Sequence, residues 1–305
     1  MTQVQTMTLA DDLAASATAI ETFLDGYLAD MPESPLLGTP ERLLAAMRHG
    51  SLAGGKRLRP FLLRTVAGLF GLDPAAAVRA GAALEMVHCY SLIHDDLPDM
   101  DNDTLRRGRP TVWAAYDPAT AILAGDALLT EAFRLLADPE THPDAGIRLQ
   151  LVQSLSNAAG PIGMVGGQML DIEGEGEAMA LEDVYAMQQM KTGALIGAAM
   201  EMGAILAGAG AGEVNRMTLC AFHAGLAFQI ADDILDATAS TQVLGKTAGK
   251  DQAQEKSTVV ALKGLDGARA LLDAAIADAL GALADHGPEA DRLREVIGYF
   301  ASRPA

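Results

Sequence analysis

The strongest constraint on the fold of this chain is a missing pattern: runs of β-branched residues are scarce, while Ala, Leu and Met recur at helical spacing. In ALEMVHCYSLIH (83 to 94) apolar positions fall at Leu84, Val87 and Ile93 with further apolar side chains between them. GLAFQIADDILD (225 to 236) sets Leu226, Ile230, Ile234 and Leu235 along one side. Ala and straight-chain residues lose little freedom in a helix, whereas strands favour the β-branched and aromatic residues that are few here. The spacing predicts helices throughout and no strand.

Punctuation falls between these segments, at DMPESPLLGTP (30 to 40), LAGGK (52 to 56), LADPETHPDAG (136 to 146), EGEGEAMALED (173 to 183) and TASTQVLGKTAGKDQ (238 to 252). About a dozen helices with short polar connections result, none of the connections resembles an interdomain linker, and residues 1–305 read as a single all-α domain. The last connection is small, polar, basic and without evident periodicity. Its length is unusual for a compact helical domain and predicts a moving lid or binding loop.

Half of the 305 residues are apolar, enough for a sizeable core. The formal net charge of −18 argues against nucleic acid and against an anionic membrane surface as partners. An anionic ligand therefore needs positive charge supplied locally. Cys89 and Cys220 are the only cysteines, both in apolar runs, and read as small core residues in a reducing compartment. The N-terminal MTQVQTMTLADDLAAS has neither a secretory leader nor an Arg-rich transit pattern, and no uncharged apolar run reaches the roughly 18 residues of a membrane span. A soluble, cytoplasmic protein is expected.

Two acidic clusters stand inside this apolar helical text. HDDLPDMDND (94 to 103) holds five aspartates between Asp95 and Asp103, around Pro98. In ADDILD, Asp232 and Asp236 are one helical turn apart, with Asp233 alongside. Like charges at that spacing weaken a helix unless they are solvated or neutralised. A solvated face accounts for an isolated DDxxD; two clusters, each in an apolar helix and each followed by basic residues, favour a neutralising cation. Mg²⁺ suits such sites, because it takes one or two carboxylates together with water and substrate phosphates. Asp99, Asp101 and Asp103 have the spacing of the first EF-hand ligands, but Thr104 and Pro110 stand where that loop needs Gly and Glu, which excludes it. Pro98 removes an amide donor and disfavours helix at Leu97, so a one-turn pairing of Asp95 with Asp99 is not expected to hold.

Basic residues accompany both clusters. Arg106, Arg107 and Arg109 follow the first, Lys246, Lys250 and Lys256 follow the second, and Lys191 stands between them in QMKTGALIG. Upstream, AGGKRLRP offers Lys56, Arg57 and Arg59 beside Gly54 and Gly55, whose backbone amides can approach a phosphate. Paired carboxylates plus guanidinium groups, arranged twice in an apolar body, describe a site for a metal-bound diphosphate attached to an apolar group. Attraction for that diphosphate weakens its C–O bond and points to ionisation of an allylic diphosphate.

In order along nearly the whole chain, GGKRLRP, EMVHCYSLIHDDLPDMDNDTLRRGRPT, AILAGDALL, GGQMLD, KTGALI, FQIADDILD and LGKTAGKDQAQEKST resemble the trans-isoprenyl diphosphate synthases, most closely the short-chain bacterial farnesyl diphosphate synthases. The resemblance implies a homodimer of the isoprenoid synthase fold, an orthogonal bundle of long antiparallel helices around a deep central cavity. Its two aspartate-rich segments would face each other there. Asp95, Asp96 and Asp101 match the first motif in its longer form, and Asp232, Asp233 and Asp236 the second. Together they would bind three Mg²⁺, for which Mn²⁺ can substitute, and the allylic diphosphate. The family pattern then has Asp101 swing back toward Asp95, leaving Asp99 and Asp103 solvated. Arg106, Lys191 and Lys246 match residues that hold the allylic diphosphate directly. Gly55, Lys56, Arg59, His88 and Arg107 match the site for isopentenyl diphosphate; without the resemblance His88 reads as a core histidine. Thr192 and Gln229 match polar groups near the carbocation.

The implied reaction is ionisation, attack by the double bond of isopentenyl diphosphate, and proton loss to the departing diphosphate. Tyr90 lies five residues before Asp95, a rise of roughly 7.5 Å along a helix, where its ring would stop chain growth. With Ser91 small beside it, the pattern is that of enzymes making the fifteen-carbon product. Geranylgeranyl or geranyl diphosphate synthesis stays open, as do a class I terpene cyclase and a non-catalytic metal-binding helical subunit. The chain departs from the family at Asp99, at Trp113, where His is common, and at YFASRPA, which lacks a final basic residue after Arg303.

Overall fold

The computed structural model describes residues 7–31, 38–176, 179–238 and 258–302. The loop expected beyond Thr238, with Lys246, Lys250 and Lys256, and Arg303 near the C-terminus lie outside them. Among the described residues the chain is all-α apart from one two-stranded hairpin. None of the described helices is long and apolar enough to cross a membrane. The described residues fall into two compact units, one drawn from those up to 64 and from 73–148 and the other from 65–72 and those from 149 onward.

The first unit contains α1 (Leu9–Ala29), α2 (Glu41–Ser51), the start of α3 (Leu58–Leu69), α4 (Val78–Asp95), β1 (Leu105–Arg106), β2 (Arg109–Pro110), α5 (Val112–Ala115) and α6 (Pro118–Ala137). Its helix starts follow their chemistry. The Thr8 hydroxyl accepts the Asp11 amide at 3.2 Å, and Asp117 accepts the Thr120 amide at 2.7 Å just before Pro118. Every residue of α4 from Ala80 to Val87 is buried, all of them small or apolar except Glu85, and α4 packs on α6, α1 and α2. Glycine permits the closest contact: a Cβ on Gly125 of α6 would lie 2.2 Å from His94 Nε2, which sits 3.0 Å from the Ile122 carbonyl.

The hairpin departs from the expectation of no strand. Only Leu105–Pro110 and Arg106–Arg109 pair, too few residues to carry a period of two. The turn needs positive φ at both central positions, and Arg107 (φ +54°) and Gly108 (φ +74°) supply it.

The second unit contains the end of α3, most of α7 (Ala145–Ala159), α8 (Met164–Glu173), α9 (Leu181–Gln188), a π-helical turn at Gln189–Gly193, α10 (Ala194–Leu206), α11 (Ala211–Thr238), α12 (Val259–Gly281), a 3₁₀ turn at Pro288–Ala290 and α13 (Asp291–Ser302). At 28 residues α11 is the longest described helix, roughly 42 Å from end to end. Its Ala227 and Ile230 join Val184, Val259 and Leu272 in a buried cluster, with Leu226 and Ile234 packed at the margin. Of the four apolar positions that predicted this helix, Ile230 is buried, Leu226 and Ile234 pack at the margin and Leu235 is half-buried outside the cluster; small residues such as Cys220, Ala224 and Ala227 make up the rest of its buried face. Cys89 and Cys220 are both unbridged and buried, and burial pushes each thiol up to about 12.

Candidate active site

The first acidic segment owes its shape to the end of α4. After Asp95 the Leu97 amide closes on the His94 carbonyl at 3.1 Å, Pro98 offers no donor, and the chain doubles back. The Asp101 amide then donates to the Asp95 carbonyl at 2.8 Å, and the Asn102 amide (φ +53°) to the Leu97 carbonyl at 3.0 Å. Asp95 and Asp101 are half-buried at this turn and Asp99 is exposed, but Asp103, expected to be solvated, is half-buried like Asp101. The turn is pinned downstream by the Thr111 hydroxyl (2.9 Å) and the Trp113 indole (2.8 Å), both donating to the Asp103 carbonyl. Trp113, one of the departures from the family pattern, thus braces the segment.

Asp96 faces inward. Arg106 Nε donates to its two oxygens at 2.8 and 3.0 Å, and Nη2 approaches Oδ1 to 2.6 Å. Burial raises the Asp96 pKa from its ordinary value, opposed by the Arg106 hydrogen bonds. Burial also works against the Arg106 charge, but Asp96 more than restores it. The pair is bidentate, the geometry in which a guanidinium is held most firmly.

The glycine-rich loop lies in the same unit. Arg107 donates through Nη1 to the Gly54 carbonyl, and a Cβ on Gly55 would fall 2.4 Å from the same guanidinium nitrogen. Gly54 and Gly55 carry φ of +75° and +121°, so glycine is needed at both. Lys56 is exposed, and Arg59 Nη1 lies 3.4 Å from His88 Nε2. Arginine can only donate, so Nε2 is the acceptor and the ring proton resides on Nδ1. Burial first, then Arg59, Arg107, Arg57 and Arg106, push the His88 pKa well below its usual value, and the imidazole is neutral. Tyr90 is buried, its ring edge-on to His94 at 5.7 Å; burial and then Asp95 push its hydroxyl up to about 12. The Ser91 hydroxyl turns back to the His88 carbonyl at 2.9 Å.

In the second unit the π turn presents Lys191 and Thr192. Lys191 Nζ donates to Asp171 Oδ2 at 2.7 Å, and Gly167 lets α8 press against the turn, since a Cβ there would lie 2.1 Å from the Lys191 backbone nitrogen. Gln229 Nε2 donates to Thr192 Oγ1 at 3.3 Å. On α11, Asp232 and Asp236 are half-buried, whereas Asp233 accepts from Gln188 Nε2 at 3.2 and 3.3 Å and from the Val259 amide at 2.8 Å.

The structure thus brings together Asp96 with Arg106, Arg59 with His88, and Thr192 with Gln229. It joins Lys191 and Asp233 to residues that sequence reasoning had given no role, Asp171 and Gln188. GGQMLD had been singled out, but nothing in its spacing pointed Asp171 at a lysine twenty residues away. Among the described residues no three His, Cys, Asp or Glu side chains come together as a group that could hold a metal ion. The donors are hard carboxylate oxygens in small groups, which fits a hard cation that completes its shell with water and phosphate oxygens.

The chain matches the polyprenyl synthetase family over residues 40–293. It is 45% identical over 253 residues to the farnesyl diphosphate synthase of Geobacillus stearothermophilus, covering 82% of this chain and 83% of that one. To the farnesyl diphosphate synthase of Escherichia coli K12 it is 40% identical, over 97% and 99% of the two chains. The crystal structure of an FPP/GFPP synthase from Zymomonas mobilis superposes with a TM-score of 0.86 at 41% identity, over 96% of this chain and 98% of that one. With a family match across most of its length and relatives this similar from end to end, the chain is a member of the polyprenyl synthetase family.

Proposed function

We propose that this protein is a farnesyl diphosphate synthase, condensing isopentenyl diphosphate with dimethylallyl and geranyl diphosphates. The observation that carries the reading is the turn at Pro98, which folds Asp101 onto Asp95 beside an Arg106 held by Asp96. Carboxylates for a cation and a fixed guanidinium for phosphate oxygens then stand on one short segment. The family match and the names of the similar enzymes support the same reaction.

Asp95 and Asp101, with Asp232 and Asp236, are the carboxylates that would hold Mg²⁺. Asp96 and Asp233 complete the two clusters as carboxylates whose oxygens already orient Arg106, Gln188 and the start of α12. Three bound Mg²⁺ would supply concentrated positive charge to the allylic diphosphate as its C–O bond breaks. Arg106 and Lys191, with Lys246 outside the described residues, hold the allylic diphosphate. Lys191 exchanges its Asp171 partner for phosphate oxygens.

Lys56, Arg59, Arg107 and the Gly55 amide bind isopentenyl diphosphate. His88, neutral, takes part through its Nδ1 proton, and Nε2 keeps Arg59 in place. The Thr192 and Gln229 oxygens face the developing cation, where a dipole stabilises charge without trapping it. Proton loss to the departing diphosphate completes the step. Tyr90 closes the apolar end and limits the product to fifteen carbons. The enzyme acts as a cytoplasmic homodimer with residues 1–305 forming one polyprenyl synthase domain.

The test is condensation of radiolabelled isopentenyl diphosphate into acid-labile product, with each component left out in turn. The reading requires that incorporation depend on both substrates and on a divalent cation. Cyclised or hydrolysed product formed from an allylic diphosphate alone would point to a terpene cyclase instead.

A further inference from the structure

Arg57 stands in a conformation that needs an explanation. In the loop 52–57, Gly54, Gly55 and Arg57 all have positive φ, and only Arg57 (φ +46°) carries a side chain. Side-chain-bearing residues adopt that region rarely, and the surroundings must hold them there.

The holding contacts are in view. The Arg57 side chain is 1% exposed. Its Nη1 donates to Glu85 Oε1 of α4 at 2.6 Å and lies 3.8 Å from Cys89 Sγ. Its Nη2 donates to the Ser51 carbonyl at the end of α2 at 2.6 Å, and Nη2 and Nε reach Glu21 Oε1 of α1 at 3.1 and 3.2 Å. One guanidinium therefore ties three helices to the loop. Glu85 is as buried as its partner, whereas Glu21 is 37% exposed. Burial works against the Arg57 charge, but Glu85 and the other partners outweigh it.

Every donor group of Arg57 is occupied inside the protein, so Arg57 is not a ligand-binding arginine. The ligand-binding roles proposed above belong to Lys56, the exposed residue just before it, and Arg59, two residues after it, which meets His88. A helical φ at Arg57 would rotate Lys56 and the Gly54–Gly55 amides relative to Arg59, whose helix begins at Leu58.

We infer that Arg57 is a positioning residue for the second substrate: through Glu85, Ser51 and Glu21 it holds the 52–57 loop in the left-handed form that presents Lys56 and Arg59 to a homoallylic diphosphate. The inference rests on the function proposed above for those two residues. Its signature is selectivity, because the loop carries none of the groups assigned to the allylic diphosphate.

The test uses the full-length enzyme with Arg57→Lys and, as a milder variant that spares the buried pair, Glu21→Gln. A lysine keeps the charge but cannot reach three acceptors at once. Arg57→Lys should raise KM for isopentenyl diphosphate about tenfold or more, with KM for the allylic substrate and kcat at saturation changed less than about threefold. Glu21→Gln should raise the same KM about two- to fivefold. Amide hydrogen exchange in residues 52–57 should quicken in both variants, with that of α4 unchanged in Glu21→Gln. Equal changes in both KM values, or a fall in active fraction alone, would reduce Arg57 to a core ion pair and overturn the inference. Should Arg57→Lys fail to fold, unchanged KM and unchanged loop exchange in Glu21→Gln would overturn it equally. A wild type that condenses nothing would instead remove the proposed function, and loop exchange in Glu21→Gln would still decide whether the Arg57 network holds the loop.

Discussion

Asp101→Ala and Asp99→Ala, compared side by side, probe the turn at Pro98. Both carboxylates belong to the same nine-residue acidic stretch, yet only Asp101 is folded back, its amide 2.8 Å from the Asp95 carbonyl, while Asp99 is exposed. A carboxylate about 4 Å from a divalent ion has a Coulomb energy of order 8 kcal/mol at an effective dielectric of about 20. Water and the remaining ligands return most of that, and loss of one preorganised charge contact leaves about 3 kcal/mol, near 10²-fold in kcat. An exposed charge contributes at most about 1 kcal/mol, so Asp99→Ala should cost no more than about fivefold. Alanine keeps the amide that makes the turn, so the melting temperature of Asp101→Ala should stay within about 2 °C of wild type. Initial rates across a Mg²⁺ titration are the assay: Asp101→Ala should need more Mg²⁺ for half-maximal rate and reach a lower plateau. Comparable losses in the two variants would mean that the wrong carboxylate has been chosen.

The remaining expectations concern separate parts of the molecule. His88 has a pKa depressed by burial and by Arg59, so the unfolded chain binds more protons than the native one below about pH 6.5. Its stabilising contribution is full above that pH and is lost as pH falls toward the folded pKa; melting curves of wild type should decline more steeply from pH 6.5 to about 5 than those of His88→Gln, and parallel declines would refute the assignment. Asp233→Ala leaves the buried Gln188 amide and the Val259 amide without their acceptor, a loss of about 2 kcal/mol, which calorimetry should register as a melting temperature lower by about 3 °C. An unchanged melting temperature would show that Asp233 has no part in holding α12. Replacing buried Tyr90 with alanine should lengthen the product beyond fifteen carbons, and an unchanged product distribution would remove Tyr90 as the floor.

The fold was readable in the sequence wherever a helix is long and its environment uniform. α4 buries Leu84, Val87 and Ile93 as its apolar spacing indicates, and α11 buries Ile230 with Leu226 and Ile234 packed beside it, while Leu235 stays half-buried outside the core cluster. The hairpin at Leu105–Pro110 was not readable, since two-residue strands have no period and their pairing is decided by the turn at Arg107–Gly108. Nor was the π turn at Gln189–Gly193: QMKTG suits an α-helix, and its widening goes with the close passage of Gly167 at the Lys191 backbone nitrogen, which only tertiary packing discloses.

The site divides in the same way. The acidic and basic residues were identifiable by type and order, and Pro98 signalled the break that folds Asp101 back. Which carboxylate takes which basic partner was not identifiable. Asp96 with Arg106, Asp171 with Lys191 and Glu85 with Arg57 are ten, twenty and twenty-eight residues apart, distances at which sequence spacing carries no geometry.

The central claim is chain elongation to fifteen carbons, and product length measures it most directly. Purified protein incubated with dimethylallyl diphosphate, excess isopentenyl diphosphate and Mg²⁺, then dephosphorylated and separated by chain length, should yield farnesol as the dominant alcohol. Dominant geraniol or geranylgeraniol would contradict the product assignment, and absence of any elongated alcohol would contradict the reaction itself.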